Sequence, residues 1–124
     1  MAGWTGAELT AIGDADEVQI ESLRRDDMLT KPVTIWVVRL EDDLYVRCMN
    51  GPDGAWYRAT RSRGQGRIHT AGVGRDVAFA DADPALGDRI DGAYRDKYAR
   101  YGPQYVDPVT SPQARQATIR LLPR

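Results

Sequence analysis

The sequence predicts an α+β fold built on a small antiparallel barrel or compact sheet, and three observations carry that expectation. Some six short segments of strand-forming residues follow one another, Gly-rich turns separate them, and clear helix signals are confined to two places. Strands and helices therefore do not alternate as a parallel α/β sheet would require. Periodicity alone does not choose between kinds of barrel.

The first helix is announced by its cap. Thr5 followed by Glu8 forms a capping box, and Trp4 with Leu9 occupies the positions of a hydrophobic staple. Leu9 and Ile12 give the helix an apolar side before Gly13-Asp14 ends it. Residues 18–24 then alternate, with Val18, Ile20 and Ser22 on one side, and Arg25-Asp26-Asp27 reads as a turn. Residues 33–40 form the strongest strand, apolar on both faces, as in a barrel wall that also meets a second subunit. A turn at Glu41-Asp42-Asp43 leads into residues 44–49, where Leu44, Val46 and Cys48 alternate with Tyr45, Arg47 and Met49 to complete a hairpin.

Asn50 to Gly54 is a cluster of breakers and predicts a loop. Residues 55–62 fit either a helical turn or an extended piece. Two short strands are expected at 67–71 and 75–79, joined through Gly72-Val73-Gly74. A second helix is capped by Asp83, takes Pro84 at its first position and stops at Gly102-Pro103. Ile90, Tyr94, Lys97, Tyr98 and Tyr101 recur along it at helical spacing, a stripe best explained by packing. A Pro-rich loop and a strand at 117–122 follow. No repeat, low-complexity tract or linker interrupts the chain, so residues 1–124 are expected to form one domain.

Composition narrows the function classes. The chain is 42% hydrophobic and 28% charged with a formal net charge of −1, which argues against nucleic acid as the main partner. Cys48 is the only cysteine and residues 1–10 lack a signal-like pattern, so a reducing cytoplasm is the expected setting. The longest apolar run, within 33–38, is far too short to span a bilayer, and no membrane association is expected. One histidine, His69, and one cysteine cannot make an ordinary zinc site, so no metal is expected. Ser22, Ser62 and Ser111 lack a nucleophile-elbow context, and the glycines at 64–66 and 72–74 are too few for a phosphate-binding fingerprint. No catalytic residue can be assigned from these patterns.

One local charge feature stands out. Arg58, Arg61, Arg63, Arg67 and Arg75 fall in a stretch free of acidic residues. They form either a solvated face or a local anion site. In the second case Arg47 and Arg58 would converge across the loop at 51–54, and guanidinium forks there would suit phosphate oxygens.

The run Val33-Thr34-Ile35-Trp36-Val37-Val38-Arg39, the turn at Asp42-Asp43 and Leu44-Tyr45-Val46-Arg47 together resemble the core hairpin of the flavin-binding split barrels. The continuation from Gly51 through Trp56-Tyr57-Arg58 resembles the deazaflavin-dependent nitroreductase branch, beside the pyridoxamine-phosphate-oxidase-like branch. Nearly the whole chain resembles an uncharacterised bacterial family, a domain of unknown function. The resembling features include Trp-Tyr-Arg at 56–58, Gly-Val-x-Arg-Asp-Val at 72–77 and Tyr-Arg-x-Lys-Tyr at 94–98.

The resemblance implies a small antiparallel split β-barrel with an N-terminal helix and one longer helix in the C-terminal half. It also implies a homodimer holding FMN or the deazaflavin F420 between its subunits. Thr34 and Trp36 would line the ring, Arg47 and Arg58 would hold phosphate with Arg63 or Arg67 assisting, and Tyr57 would face a small-molecule substrate. The chemistry implied is that of an oxidoreductase. The hydroxyl expected on the second strand is replaced here by Cys48, and Trp56 and Tyr57 stand where basic residues are common in relatives. These departures favour the alternative of a cofactor-free barrel that binds a small molecule, as a carrier or a non-redox biosynthetic enzyme. A third reading is an interaction module using strand 33–38 and the tyrosine helix.

Overall fold

The structure is a computed structural model that describes residues 3–124. Helix α1, Gly6–Asp14, carries the expected capping box: Glu8 N–H donates to Thr5 Oγ1 at 3.1 Å and Thr5 N–H to Glu8 Oε1 at 2.9 Å. Strands β1 (Val18–Ser22), β2 (Val33–Ile35), β3 (Val38–Leu40) and β4 (Asp43–Arg47) follow. Helix α2 covers Ala55–Arg63, β5 Gln65–Thr70 and β6 Val73–Asp81. After them come α3 (Gly87–Tyr98), α4 (Pro103–Val109), α5 (Pro112–Arg115) and β7 (Thr118–Pro123).

All pairings are antiparallel, in the order β2-β1-β5-β6-β7-β4-β3. The two edge strands, β2 and β3, are separated along the chain by Trp36 and Val37 alone. At about 3.8 Å between successive Cα atoms, so short a link cannot cross an open sheet of this width. The sheet must therefore curl until its edges nearly meet, giving the split barrel. The strand expected over 33–40 is one extended run that changes partner midway: Val33–Ile35 pairs with β1 and Val38–Leu40 with β4.

A partner change leaves backbone groups without a ladder, and buried ones need other partners. At Val37 they come from α3. Val37 N–H donates to the Tyr98 hydroxyl at 3.1 Å, and Lys97 Nζ donates to the Val37 carbonyl at 2.7 Å. The Tyr98 hydroxyl proton has the Asp16 carbonyl within 2.6 Å. Burial pushes the Lys97 ammonium down to about 8 and raises the hydroxyls of Tyr94 and Tyr98 well above the usual tyrosine range.

The pH dependence follows from the signs. Between the lowered Lys97 value and its ordinary one, the unfolded chain binds more protons, so stability should rise from about pH 8 towards 10. Above about pH 10 the unfolded tyrosines ionise before the folded ones, and stability should fall. Urea midpoints taken between pH 7 and 11 should pass through a maximum near 10, and a monotonic decline above pH 7 would contradict this account.

The barrel interior is filled by Leu9 and Ile12 of α1, Val18, Ile20, Leu44, Val46, Ile68 and Leu121, with Cys48 and Tyr57 beside them. Gly66 faces inward on β5, where a Cβ would run into the Glu21 carbonyl and the Phe79 ring, so no side chain fits. A second apolar cluster lies outside the barrel wall. There Val38 and Tyr45 pack against Ile90, Tyr94 and Tyr98 of α3 and Val106 and Val109 of α4. Strand β4 is thus covered on both faces, which accounts for its almost continuous burial.

The chain departs from expectation in two further places. Residues 55–62, open between helix and strand, form α2, closed by Gly64 in the left-handed region at φ 66°. The segment expected as a Pro-rich loop contains α4 and α5. Pro103 and Pro112 sit in first turns, and the Ser111 hydroxyl accepts from Ala114 N–H at 3.1 Å. A proline there sacrifices no intrahelical hydrogen bond. No helix among the described residues is long and apolar enough to cross a membrane.

Candidate functional site

A cleft of about 230 Å³ opens beside the point where β2 gives way to β3. Thr34, Ile35 and Trp36 line it from that junction, Glu17 from the approach to β1, and Arg47 and Met49 from β4 and its end. Trp56 in the first turn of α2 and Tyr105 and Val109 of α4 complete the wall.

Trp36 is held firmly. Its ring stacks on that of Tyr98 at 3.9 Å between centroids with 2° between planes, and Tyr101 lies 5.5 Å from it at a tilt. Because Tyr98 is itself pinned at Val37, the indole presents a fixed flat wall. Met49 and Tyr105 on the rim are 55% and 56% exposed, unusual for large apolar side chains. Together with the half-exposed Tyr101 they place an apolar patch around the cleft, the kind of surface that ligands or partner subunits cover.

A second, shallower concavity shares Glu17 and Thr34 with the cleft and extends to His69, Thr70 and the turn at Gly72. His69 Nε2 lies 2.6 Å from Glu21 Oε1 across β1 and β5. The two hollows adjoin at Glu17 and Thr34.

Arg47 lies at the cleft, yet its guanidinium is spoken for. The side chain is fully buried and pairs with the Asp91 carboxylate of α3. Its Nε donates to Thr118 Oγ1 at 2.9 Å, and its terminal nitrogens donate to the carbonyls of Val109 at 3.1 Å and Gly87 at 3.2 Å. The Tyr94 ring lies 5.6 Å from its carbon. The face of β4 that alternation marks as polar is roofed by α3 and α4, so Arg47 binds barrel to helices.

The other sequence-predicted residues fall apart from one another. Thr34, Trp36 and Arg47 come together at the cleft; Arg58, Arg63, Arg67 and Tyr57 do not line it. Arg58 is exposed on α2. Arg63 donates to Asp27 at 2.7 Å and to the Arg24 carbonyl at 3.0 Å, and Arg67 pairs with Asp76 at 2.8 Å. Arg61 pairs with Asp81, and Arg75 with Glu8 at 2.6 Å. Four of the five arginines in the acid-free stretch are therefore met by carboxylates from outside it, and Arg58 does not join Arg47 at the cleft. Tyr57 turns into the barrel interior because the apolar side of α2 seals it. Cys48 points inward too, and burial pushes its thiol up, away from the reactive thiolate.

Glu17, Met49 and Tyr105 line the cleft without having been singled out by the sequence. Alternation puts Met49 on the face of Arg47 but marks neither Glu17 nor Tyr105; for Met49 and Tyr105 the signal is the exposure of a large apolar side chain, which only coordinates reveal.

The cleft suits a flat, largely apolar ring between indole and phenol walls. It does not suit a phosphate, because Arg47 is its only cationic lining residue and that charge is neutralised by Asp91. Among the described residues no group of three or more His, Cys, Asp or Glu side chains is placed to hold a metal ion.

Comparison with solved structures places the fold. A Listeria innocua protein provisionally named a pyridoxamine 5'-phosphate oxidase matches with TM-score 0.63 at 10% identity, over 94% of this chain and 90% of its own. An FAD-binding protein from Mesorhizobium loti matches with TM-score 0.60 at 16% identity, over 98% and 91%. A protein named F420 reductase matches with TM-score 0.55 at 13% identity, over 94% and 90%. No curated protein sequence matches. At these identities the likeness establishes the split-barrel fold alone. The family-level assignment comes from the sequence: residues 8–121 match the family described as "Uncharacterized protein conserved in bacteria (DUF2255)", and the chain belongs to it.

Proposed function

We propose that this chain is a homodimeric split barrel that receives a flat ring of flavin or deazaflavin type in the cleft beside Trp36. On this reading it serves as an oxidoreductase for a small organic molecule. The observation that carries the reading is the cleft itself: a rigid indole wall, an exposed apolar rim and a position at the split of the barrel. Its volume is below the roughly 300 Å³ at which ligand pockets usually begin, which favours completion by a second copy. The neighbouring folds named for FAD and F420 support the same class of ligand.

Trp36 and Trp56 would wall the ring, the Thr34 hydroxyl would meet a polar edge, and Met49 and Tyr105 would close against the partner subunit. When bound, such a cofactor supplies hydride transfer, and the chain need contribute only position and exclusion of water. Arg47 acts in this reading by holding Val109 and β4 in place, not by contacting phosphate. The neutralisation of Arg47 also favours a second reading, a cofactor-free barrel that binds another flat small molecule.

Titration with riboflavin, FMN and F420, followed by thermal shift and fluorescence, tests both. Riboflavin and FMN should bind with Kd values within about threefold, because a charge-assisted phosphate contact would be worth tenfold or more. Tyr105→Ala, at an exposed position, should weaken ring binding about tenfold without changing stability. FMN binding more than tenfold tighter than riboflavin would reveal a phosphate site and overturn the assignment of Arg47. Colourless protein that none of the three stabilises would leave the cofactor-free reading, and a monomer by sedimentation would remove the interface.

A further inference from the structure

A hollow of about 630 Å³ lies between α3 and β3 and shares no lining residue with the Trp36 cleft. Arg89, Gly92, Ala93, Asp96 and Lys97 line it from one face of α3, with Arg39 opposite on β3 and Asp14 at the end of α1. Gly92 is informative. It stands inside a helix, where glycine costs about 0.5–1 kcal/mol relative to alanine. Yet a Cβ added there would meet nothing within 4 Å. No packing contact demands the glycine; what it provides is open space beside Lys97.

Lys97 lines this hollow, its Nζ anchored 2.7 Å from the Val37 carbonyl and 5.2 Å from the centroid of the Tyr98 ring. Asp14, Asp16 and Asp96 provide negative charge around it and Arg100 positive charge. Desolvation outweighs the carboxylates and lowers its value to about 8. About a tenth of the amine is then neutral at pH 7, roughly 300-fold more than for an ordinary lysine. Among the described residues the two arginines have only surface partners: Arg39 Nε donates to the Glu41 carbonyl at 2.7 Å, its Nη2 lies 3.8 Å from the exposed Asp42, and Arg89 lies 3.3 Å from the exposed Glu41. Such pairs are weak and yield readily to an anion with a better fit.

We propose that Lys97 is a carbonyl-reactive amine, forming a reversible imine with an aldehyde or ketone whose anionic group is received by Arg39 and Arg89. The nitrogen lone pair forms the C–N bond, and both amine protons leave with the carbonyl oxygen as water. On protonation the imine nitrogen regains one N–H, enough to keep the bond to the Val37 carbonyl. This site is independent of the ring cleft and stands or falls separately from it.

The chain makes the test unusually clean, since Lys31 and Lys97 are its only lysines and Lys31 is exposed. The full chain is incubated with 4-formylbenzoate or with uncharged benzaldehyde, imines are fixed with cyanoborohydride, and each amine is scored by peptide mass spectrometry. Lys97 should be labelled at least tenfold faster than Lys31, and formylbenzoate should outpace benzaldehyde at Lys97 alone. Arg89→Ala should remove that advantage. Gly92→Leu should slow Lys97 while leaving Lys31 unchanged, and Gly92→Ala confirms that helix α3 tolerates substitution there. Equal rates at the two lysines, or the same rate for both aldehydes at Lys97, would overturn the proposal.

Discussion

Replacing Asp91 with alanine should destabilise the protein by about 3–5 kcal/mol, measured by urea unfolding, because it strands the Arg47 charge in the interior. The Arg47 side chain has no exposure, and among the described residues Asp91 is its only carboxylate partner. The bonds that remain, to Thr118 and to the carbonyls of Val109 and Gly87, satisfy donors but do not neutralise a cation. Asp91 also lies 3.2 Å from Arg115 Nε, so its loss loosens a second cation. The pair as a whole is a different matter. Changing both residues, as Arg47→Met with Asp91→Leu, should recover most of the loss, since removing both charges removes their desolvation cost as well. Recovery would establish that the pair is architectural. A double variant as unstable as Asp91→Ala would instead mean that the hydrogen bonds to Thr118 and α4 carry the stability.

The second large effect is expected at Tyr98. Tyr98→Phe keeps the ring stacked on Trp36 but deprives the Val37 N–H and the Asp16 carbonyl of the hydroxyl that now meets them. A buried backbone donor without a partner costs about 1–3 kcal/mol, and the loss falls where the strand changes partner. Tyr94→Phe is the matched control. The Tyr94 hydroxyl is buried with no hydrogen-bond partner among the described residues, so its removal should alter stability by less than about 1 kcal/mol. Hydrogen exchange in the Tyr98 variant should accelerate first at Val37. Equal effects from the two substitutions would show that ring packing, not the hydroxyl, secures the junction.

Local chemistry explains which parts of this fold were legible in the sequence. The capping box at Thr5 and Glu8 is complete within four residues, and the hairpin between 33–40 and 44–49 declares itself by alternation and an acidic turn. Ser111-Pro112 uses the same start signal as Asp83-Pro84, so α5 was readable in principle. The proline density of the segment masked it. The partner change at Trp36 was not readable, because periodicity reports which face a residue occupies and says nothing of which strand lies beside it.

The site was less legible than the fold, for the same reason. Thr34 and Trp36 reach the cleft because their strand does. Arg47 was read as a polar-face residue free for a ligand, and only the roof formed by α3 and α4 shows its charge to be spent. The arginines from 58 to 75 look unopposed along the chain, while in space Glu8, Asp27, Asp76 and Asp81 oppose all of them but Arg58. Charge balance over a short window is a statement about sequence neighbours, and ion pairing between remote segments overrides it.

The placement of β7 has a consequence for biosynthesis. It is the last of the sheet strands to leave the ribosome, yet it lies between β6 and β4. Until it arrives, β6 and β4 each lack the antiparallel neighbour they have in the finished sheet. Edges of that kind recruit other chains, so the growing polypeptide should depend on chaperones that shield it until residues 118–123 have left the ribosome.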